Sequence, residues 1–285
     1  MRIVSLLPST TEILFAIGAG DDVVGVTFEC DYPEEARTRR IVSTSAMPEG
    51  LTPAEIDAFV VAAMANGDDL YHLDEGALAG LDADLVVTQD LCAVCAVDVS
   101  VVDDALAHLG CTAEVLTIDP HTLDDVFASI ETLGKATGHE EEATDLVRYQ
   151  RRQLAALWGW SVSRRKPRVM FLEWTDPPFA PGHWIPEMIE LAGGIPLLGT
   201  GGEKSRRVTW DEVHAARPDV VVVAPCGYDR EGSQSLADDL VASGALPAGV
   251  PVHAVDANAS WARPGTRLVD GVEELARLLH PPTGS

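Results

Sequence analysis

Short apolar runs that end in proline, glycine or polar residues recur along the chain, and they are typical of buried parallel strands. In the first half of the chain these runs cover residues 2–7, 23–26, 85–88 and 115–118. Segments with apolar residues at helical spacing lie between the runs. Strands that alternate with helices favour right-handed crossovers, so the pattern predicts an α/β fold with mostly parallel sheets.

The second half of the chain repeats this layout. Its apolar runs cover residues 169–173, 220–224 and 252–255, and a helix is predicted at 269–279. An Asp before an apolar run occurs at Asp84 and Asp219, and an Asp after the next run occurs at Asp119 and Asp256. The two members of these pairs are 135 and 137 residues apart, so both features recur at nearly the same distance along the chain. The repeat predicts two similar lobes with a ligand cleft between them, where small molecules are usually held.

The middle of the chain has a different pattern. Residues 122–136 read as one helix, and residues 140–160 carry apolar positions at helical spacing in a second one. A helix of about 20 residues spans roughly 30 Å. The predicted organisation is therefore an N-terminal α/β lobe at 1–121, a helical connector at 122–166 that includes the long bridging helix, and a C-terminal α/β lobe at 167–285.

Composition narrows the possible partners and locations. The 285 residues include 45 acidic and 20 basic side chains, for a formal charge of −25. An acidic protein of this kind is not expected to bind nucleic acid or an anionic membrane. No apolar run reaches the roughly 18 to 20 residues that span a bilayer, and residues 1–8 do not resemble a secretory signal. The chain as written is expected to be cytoplasmic, with an extracytoplasmic location as the alternative if a leader was removed.

Ligands of parallel sheets bind beyond the carboxyl ends of the strands. Those ends carry a large share of the aromatic side chains, namely Phe28, Trp174, Phe179, Trp184, Tyr228 and Trp261. Rings gathered there predict a flat or bulky ligand with apolar faces. The alternative is that two or three of the rings simply pack the interior of a lobe.

Polar residues at the same strand ends complete the predicted site. They are Ser9, Glu29, Cys30, Gln89, Cys92, His183 and Arg263. His183 lies in a loop between Gly182 and Trp184, which favours contact with a metal or a polar ligand group. The guanidinium of Arg263 is expected to face an acidic ligand group or a carboxylate such as Glu29, although a salt bridge that fixes the turn fits equally well.

The cysteines suggest thiol chemistry rather than a disulfide framework, because there are five of them. Cys92 and Cys95 are spaced so that both sulfurs could reach one metal ion, with His183 as a further ligand. One such pair supplies only half of a tetrahedral site, and small buried cysteines at the start of a helix are the alternative.

Signals for catalysis are weak. Residues 8–11, after the first strand, are Pro-Ser-Thr-Thr rather than a glycine-rich phosphate loop, and there is no Gly-x-Ser-x-Gly motif. An enzyme that acts on a small substrate through Glu29, Cys92, Cys95 and His183 is therefore only an alternative, and a ligand-binding protein is expected.

Two stretches resemble a known family. Residues 2–20, RIVSLLPSTTEILFAIGAG, with Val24-Gly-Val and Asp31-Tyr-Pro, resemble the opening of cobalamin-binding proteins of ABC importers. The stretch that begins at Trp261 and runs Trp-Ala-Arg-Pro-Gly-Thr-Arg resembles the last cleft loop of that family, whose class also takes up iron-siderophores and haem. The resemblance implies two lobes, a rigid connecting helix, and ligand contacts at Glu29, Trp210, Trp261 and Arg263. The chain departs from the family at Glu29, where the importer protein has an aromatic stacking residue.

Together these patterns predict a protein that binds a corrinoid such as cobalamin, or a related metal-macrocycle, for uptake, delivery or storage. The rings of Trp174, Trp184 and Trp261 are expected to stack on the ligand, with Arg263 and His183 at its polar groups. No essential cofactor is expected. An ABC permease is a possible partner, and an iron-siderophore or haem receptor is the alternative function.

Overall fold

The computed structural model describes residues 1–66, 68, 70–73, 76–89 and 113–281. The chain divides into two compact units. The first unit comprises Met1–Asp119 and Phe127–Val147, and the second comprises Pro120–Val126 and Arg148–Ser285. The predicted connector at 122–166 is thus shared between the units.

The first unit is built on a five-stranded parallel sheet with the strand order β3-β2-β1-β6-β7. Its strands are β1 (Ile3–Ser5), β2 (Val23–Val26), β3 (Arg40–Ile41), β6 (Leu85–Thr88) and β7 (Glu114–Thr117). A separate antiparallel pair is formed by β4 (Ser43–Ser45) and β5 (Tyr71–Leu73). Every residue of β1 and β6 is buried, as expected for apolar strands at the centre of a parallel sheet.

Among the described residues of the first half, the α-helices are α1 (Pro8–Ala16), α2 (Pro53–Asn66), α3 (Leu123–Thr137) and α4 (Glu140–Ser161). Both α3 and α4 have residues in each unit. The two helices approach closely at Gly134, where an added Cβ would lie 2.4 Å from Cβ of Ala143. Glycine is therefore required there by the packing of α3 against α4.

The second unit contains a four-stranded parallel sheet with the order β11-β8-β13-β14. Its strands are β8 (Arg168–Leu172), β11 (Ile195–Pro196), β13 (Val220–Val223) and β14 (Val252–Ala254). A small antiparallel sheet consists of β9 (Trp174–Thr175), β10 (Pro178–Ala180) and β12 (Arg206–Arg207). The helices are α5 (Ile185–Leu191), α6 (Trp210–Ala216), α7 (Arg230–Ser243), α8 (Ala257–Ser260) and α9 (Leu268–Leu279).

The predicted duplication is confirmed by the sheet order. The order β2-β1-β6-β7 in the first unit corresponds to β11-β8-β13-β14 in the second, with β1 equivalent to β8 and β6 to β13. Even the helix ends agree, since Gly18 after α1 and Gly193 after α5 both have positive φ, at 89° and 87°. Each unit also has its own hydrophobic core, so each can position the residues at its own strand ends.

The α/β fold with two similar lobes and mostly parallel sheets is confirmed, while the ligand cleft stays a prediction. The antiparallel strands β4, β5, β9, β10 and β12 were not predicted. Across the part of the chain that the structure describes, no helix is both long enough and apolar enough to cross a membrane.

Candidate ligand-binding residues at the strand ends

In the first unit an aromatic and acidic cluster follows strand β2. Phe28 is 38% exposed, and its ring centroid lies 5.7 Å from that of the buried Tyr71 on β5. The Tyr71 hydroxyl donates a 2.9 Å hydrogen bond to Glu29 Oε2. Just before Phe28, Thr27 Oγ1 lies 2.7 Å from Ser43 Oγ on β4, which ties the β4–β5 pair to the end of β2. An exposed ring and a carboxylate are thus fixed side by side.

Beneath this cluster, buried hydroxyl groups connect the end of β1 to α1. Thr11 Oγ1 donates to Ser5 Oγ at 2.8 Å and lies 3.1 Å from Cys30 Sγ. Ser5 Oγ also lies 2.7 Å from Thr10 Oγ1. Cys30 is 3% exposed, and its contact with Thr11 lies in the interior of the first unit.

Two further predicted ligand contacts in the first unit are also buried. Ser9 in the first turn of α1 and Gln89 after β6 are 3% and 7% exposed. Contact of Ser9, Cys30 and Gln89 with a ligand stays a prediction.

In the second unit two half-buried rings lie together at the ends of β8 and β13. Trp174 and Tyr228 meet edge to face with centroids 5.9 Å apart. The Trp174 indole donates to the Asp176 carbonyl at 3.1 Å, which sets its orientation. Gly232 must lack a side chain, because a Cβ there would lie 2.7 Å from the Tyr228 ring. Partial desolvation raises the pKa of Tyr228, so its hydroxyl stays protonated at neutral pH.

Glu173, immediately before Trp174, is the most perturbed carboxyl group of this region. Burial raises its pKa to about 7, although hydrogen bonds from the Gly182 backbone N–H and the Ser205 hydroxyl oppose the increase. The Gly182 bond measures 2.7 Å. Glu173 therefore fastens the loop after β10 to the end of β8, and its charge changes near neutral pH.

That loop holds His183 in a left-handed backbone conformation with φ of 50°. Its N–H donates to the Glu203 carbonyl at 2.6 Å, and an added Cβ on Gly182 would lie 2.2 Å from the backbone nitrogen of Ser205. The His183 ring lies 5.8 Å from His121 and 5.6 Å from Trp184, by centroid distance. The loop is therefore held by its backbone, and the half-buried imidazole lies among other rings.

The rings of Trp184 and Trp261, which were predicted to stack on the ligand, are both buried in this structure. Trp184 is 6% exposed and Trp261 is fully buried. The Trp184 indole donates to the Trp261 carbonyl at 2.8 Å, and the Trp261 ring packs 4.8 Å from Phe171 of β8. Both indoles belong to the interior of the second unit, and Trp261 also lies beside Gly271 of α9. The alternative that some of the rings pack a lobe interior is correct for these two.

The remaining predicted residues have different surroundings. Trp210 is half-buried against the core of the second unit, at the start of α6, where Thr209 and Glu212 form a capping box. Arg263 is half-buried after α8, and its carbonyl accepts a hydrogen bond from the Gly265 N–H at 2.8 Å. These surroundings do not show whether Trp210 or Arg263 contacts a ligand, so both contacts stay predictions.

The metal prediction is also untested. Cys92 and Cys95 lie outside the described residues. Among the residues that are described, no group of three or more His, Cys, Asp or Glu side chains is arranged to hold a metal ion.

Two polar residues of this region, Tyr71 and Glu173, were not predicted from the sequence. Tyr71 was overlooked because it reaches Glu29 only through the long-range pairing of β4 with β5. Glu173 lies at a strand end that was identified, and a carboxyl group directly after a run of buried apolar residues was the signal that could have marked it.

Comparison with known proteins defines the class to which this arrangement belongs. Residues 3–251 match the family described as periplasmic binding protein. The chain belongs to this family. Its members are substrate-binding proteins of ABC transporters and not enzymes, so the alternative of an enzyme that acts through Glu29, the cysteines and His183 loses its support.

Several relatives match along almost the whole chain. A vitamin B12-binding protein of Yersinia pestis (strain Pestoides F) is 26% identical, over 98% of this chain and 86% of the relative. An ABC transporter substrate-binding lipoprotein, YvrC, of Bacillus subtilis (strain 168) is 27% identical, over 99% of this chain and 81% of the relative. The predicted cytoplasmic location is not borne out by these relatives.

A solved structure shows the same fold. The periplasmic heme-binding protein RhuT from Roseiflexus sp. RS-1 superposes with a TM-score of 0.70 and 23% identity, over 96% of both chains. This heme-binding protein therefore has the same fold as the chain.

Proposed function

We propose that this periplasmic binding protein binds a corrinoid, with cobalamin or a close analogue as its ligand. The observation that carries the proposal is the 26% identity to a vitamin B12-binding protein along 98% of the chain. The strand-end rings supply a physical basis, because aromatic faces and edges bind large flat ligands by burying apolar area.

The proposed contacts are the rings and polar groups that remain accessible. They are Phe28, Glu29, Trp174, His183, Tyr228 and Arg263. Phe28 and Trp174 would pack against the apolar faces of the macrocycle, while the Tyr228 hydroxyl and the Arg263 guanidinium would bind its amide or phosphate oxygens. Trp184 and Trp261 would contribute indirectly, because their buried rings fix the loops that carry His183 and Arg263.

We further propose that the chain needs no cofactor of its own and delivers its ligand to an ABC permease, which requires an extracytoplasmic location. Delivery to a permease is the role of the relatives that are named ABC transporter substrate-binding proteins, and the chain belongs to the periplasmic binding protein family. Purified permease in nanodiscs should retain the loaded chain more strongly than the ligand-free one; equal retention or none would contradict this role.

A competition experiment tests the ligand. The protein is dialysed against labelled cyanocobalamin in the presence of unlabelled cobinamide, haemin or a ferric siderophore. Displacement by cobinamide at concentrations near those of cobalamin itself supports a site for the corrin ring. Displacement by haemin or the siderophore alone would assign the chain to the iron-chelate class instead.

Matched variants locate the site. Trp174→Ala should weaken cobalamin binding, whereas Val241→Ala, a change at a 58% exposed position on α7, should not. Equal affinities of the two variants would contradict the role given to Trp174.

A further inference from the structure

One stretch of the chain has a charge opposite to that of the rest. Between Asp145 and Glu173 there are seven basic side chains and no acidic one, although the whole chain has 45 acidic and 20 basic residues. The seven are Arg148, Arg151, Arg152, Arg164, Arg165, Lys166 and Arg168. This segment of the second unit therefore has a net positive charge of its own, within a protein whose net charge is −25.

Large apolar side chains are exposed in the same stretch. Trp158, Trp160 and Val162, at the end of α4 and just after it, are 39%, 41% and 45% exposed. Indoles are highly buried on average, so two partly exposed ones within three residues form a candidate interaction surface.

The cations lie directly over these rings. The Arg164 guanidinium carbon is 3.9 Å from the Trp160 ring centroid, and Lys166 Nζ is 5.1 Å from that of Trp158. Among the described residues, neither Arg164 nor Lys166 has a carboxylate within salt-bridge distance. We call Trp158, Trp160, Val162, Arg164 and Lys166 the basic-aromatic surface.

Neighbouring groups determine the charge of the basic-aromatic surface. Arg165 forms a salt bridge with Asp219 at 3.2 Å, and Arg168 donates a hydrogen bond to the Ala216 carbonyl. These two side chains therefore direct their charges away from the basic-aromatic surface. His280 meets Trp160 edge to face at 5.5 Å, and both burial and the Arg164 charge lower the pKa of His280. The positive charge of the surface at neutral pH thus comes from Arg164 and Lys166.

We propose that the basic-aromatic surface binds the surface of an anionic phospholipid bilayer. Indole rings favour the boundary between headgroups and acyl chains, and arginine and lysine beside them reach the lipid phosphates. An acidic peptide would use the two cations but would leave the exposed indoles and Val162 without a role. The net charge of the chain led to the opposite expectation. Acidic groups on the other surfaces do not prevent this local contact, because charges beyond about 8 Å are largely screened at physiological ionic strength.

Cosedimentation with vesicles tests the proposal. The full chain is mixed with vesicles of phosphatidylcholine alone, or with an equimolar mixture of phosphatidylcholine and phosphatidylglycerol. Binding is expected only to the mixed vesicles and is expected to weaken at high salt. The double variant Arg164→Gln/Lys166→Gln should reduce the partition coefficient by roughly tenfold to thirtyfold.

A matched control removes the same number of charges elsewhere. Arg37→Gln/Lys135→Gln, at two exposed positions in the first unit, should bind the mixed vesicles as the wild type does. Trp158→Ala/Trp160→Ala, with its fold checked by circular dichroism, should also lose binding.

Three results would overturn the proposal. They are failure of the wild type to bind mixed vesicles, equal losses in the Gln variant and the charge-matched control, and binding to soluble polyglutamate but to neither vesicle. The last result would assign the surface to an acidic protein segment.

Discussion

Tyr71 donates a 2.9 Å hydrogen bond to Glu29, and this bond crosses 42 positions of sequence. Glu29 occupies the position at which the cobalamin importer proteins are expected to have an aromatic stacking residue. In this chain the exposed ring belongs instead to Phe28, one position earlier, and the Tyr71 ring lies 5.7 Å from it. The Glu29 departure is therefore accompanied by an aromatic surface at the neighbouring position.

Replacement of Phe28 by alanine should weaken corrinoid binding by about tenfold, since a stacked ring contributes on the order of 1 kcal/mol. The free energy of unfolding should fall by less than it would for a fully buried ring, because 38% of the Phe28 side chain is exposed. Calorimetric titration and chemical denaturation measure the two effects. A variant that loses stability but keeps its affinity would give Phe28 a structural role only.

Removal of the Trp261 indole and of the Trp174 indole should have opposite consequences. Trp261→Ala should destabilise the protein by about 3 to 5 kcal/mol, because it empties a fully buried site against Phe171. Trp174→Ala should cost much less stability but should reduce ligand affinity.

A third variant refines this comparison. Trp261→Phe should cost less than the alanine change, because it keeps a ring and removes an indole N–H that has no acceptor among the described residues. Denaturation midpoints and titrations distinguish the three. Near-equal stabilities of Trp261→Ala and Trp174→Ala would contradict the division into interior and accessible rings.

Glu173 should make stability depend on pH. Its pKa of about 7 in the folded protein exceeds the ordinary 4.5, so the folded state binds more protons between these values. Its contribution to stability is therefore greatest below about pH 4.5 and falls as the pH rises towards 7. Between pH 5 and pH 8, Glu173→Gln should gain on the order of 2 to 3 kcal/mol relative to the wild type.

Denaturation at several pH values measures this difference. Glu190→Gln, which changes an exposed carboxylate on α5, is the control and should follow the wild type at each pH. A wild type and a Glu173→Gln variant with parallel pH profiles would show that Glu173 is charged throughout this range.

Two glycines on helices should respond oppositely to alanine. Gly244 caps α7 with φ of 71° and Gly159 lies inside α4, and neither has an atom within 4 Å of an added Cβ. Gly244→Ala should therefore cost about 1 kcal/mol through backbone strain alone, whereas Gly159→Ala should gain about 0.5 to 1 kcal/mol. Thermal denaturation tests this prediction, and a loss of stability in Gly159→Ala would contradict it.

The repeated fold was predictable because its strands are buried on both faces, which produces continuous apolar runs. The run at 220–224, for example, corresponds to the observed Val220–Val223. The antiparallel pairs were not predictable from local pattern, because β9 and β12 have two residues each and β4 and β5 are separated by α2.

The candidate site was predictable only in part. Placement at the strand ends identified Phe28, Trp174 and Tyr228. Sequence could not distinguish these from Trp184 and Trp261, because an aromatic residue after a strand looks the same whether it faces outward or is covered by later helices. Trp261, for example, lies beside Gly271 of α9, where an added Cβ would be 3.1 Å from the Trp261 ring and 3.1 Å from Met188 of α5.

The most direct test of the proposed function is isothermal titration of the purified full chain with cyanocobalamin, monitored in parallel by absorbance. We expect saturable binding of one ligand per chain with a dissociation constant of about 1 μM or lower, which corresponds to a binding free energy of roughly −8 kcal/mol. Neither heat nor spectral change at ligand concentrations up to about 50 μM, where binding of that strength would be saturated, would contradict it.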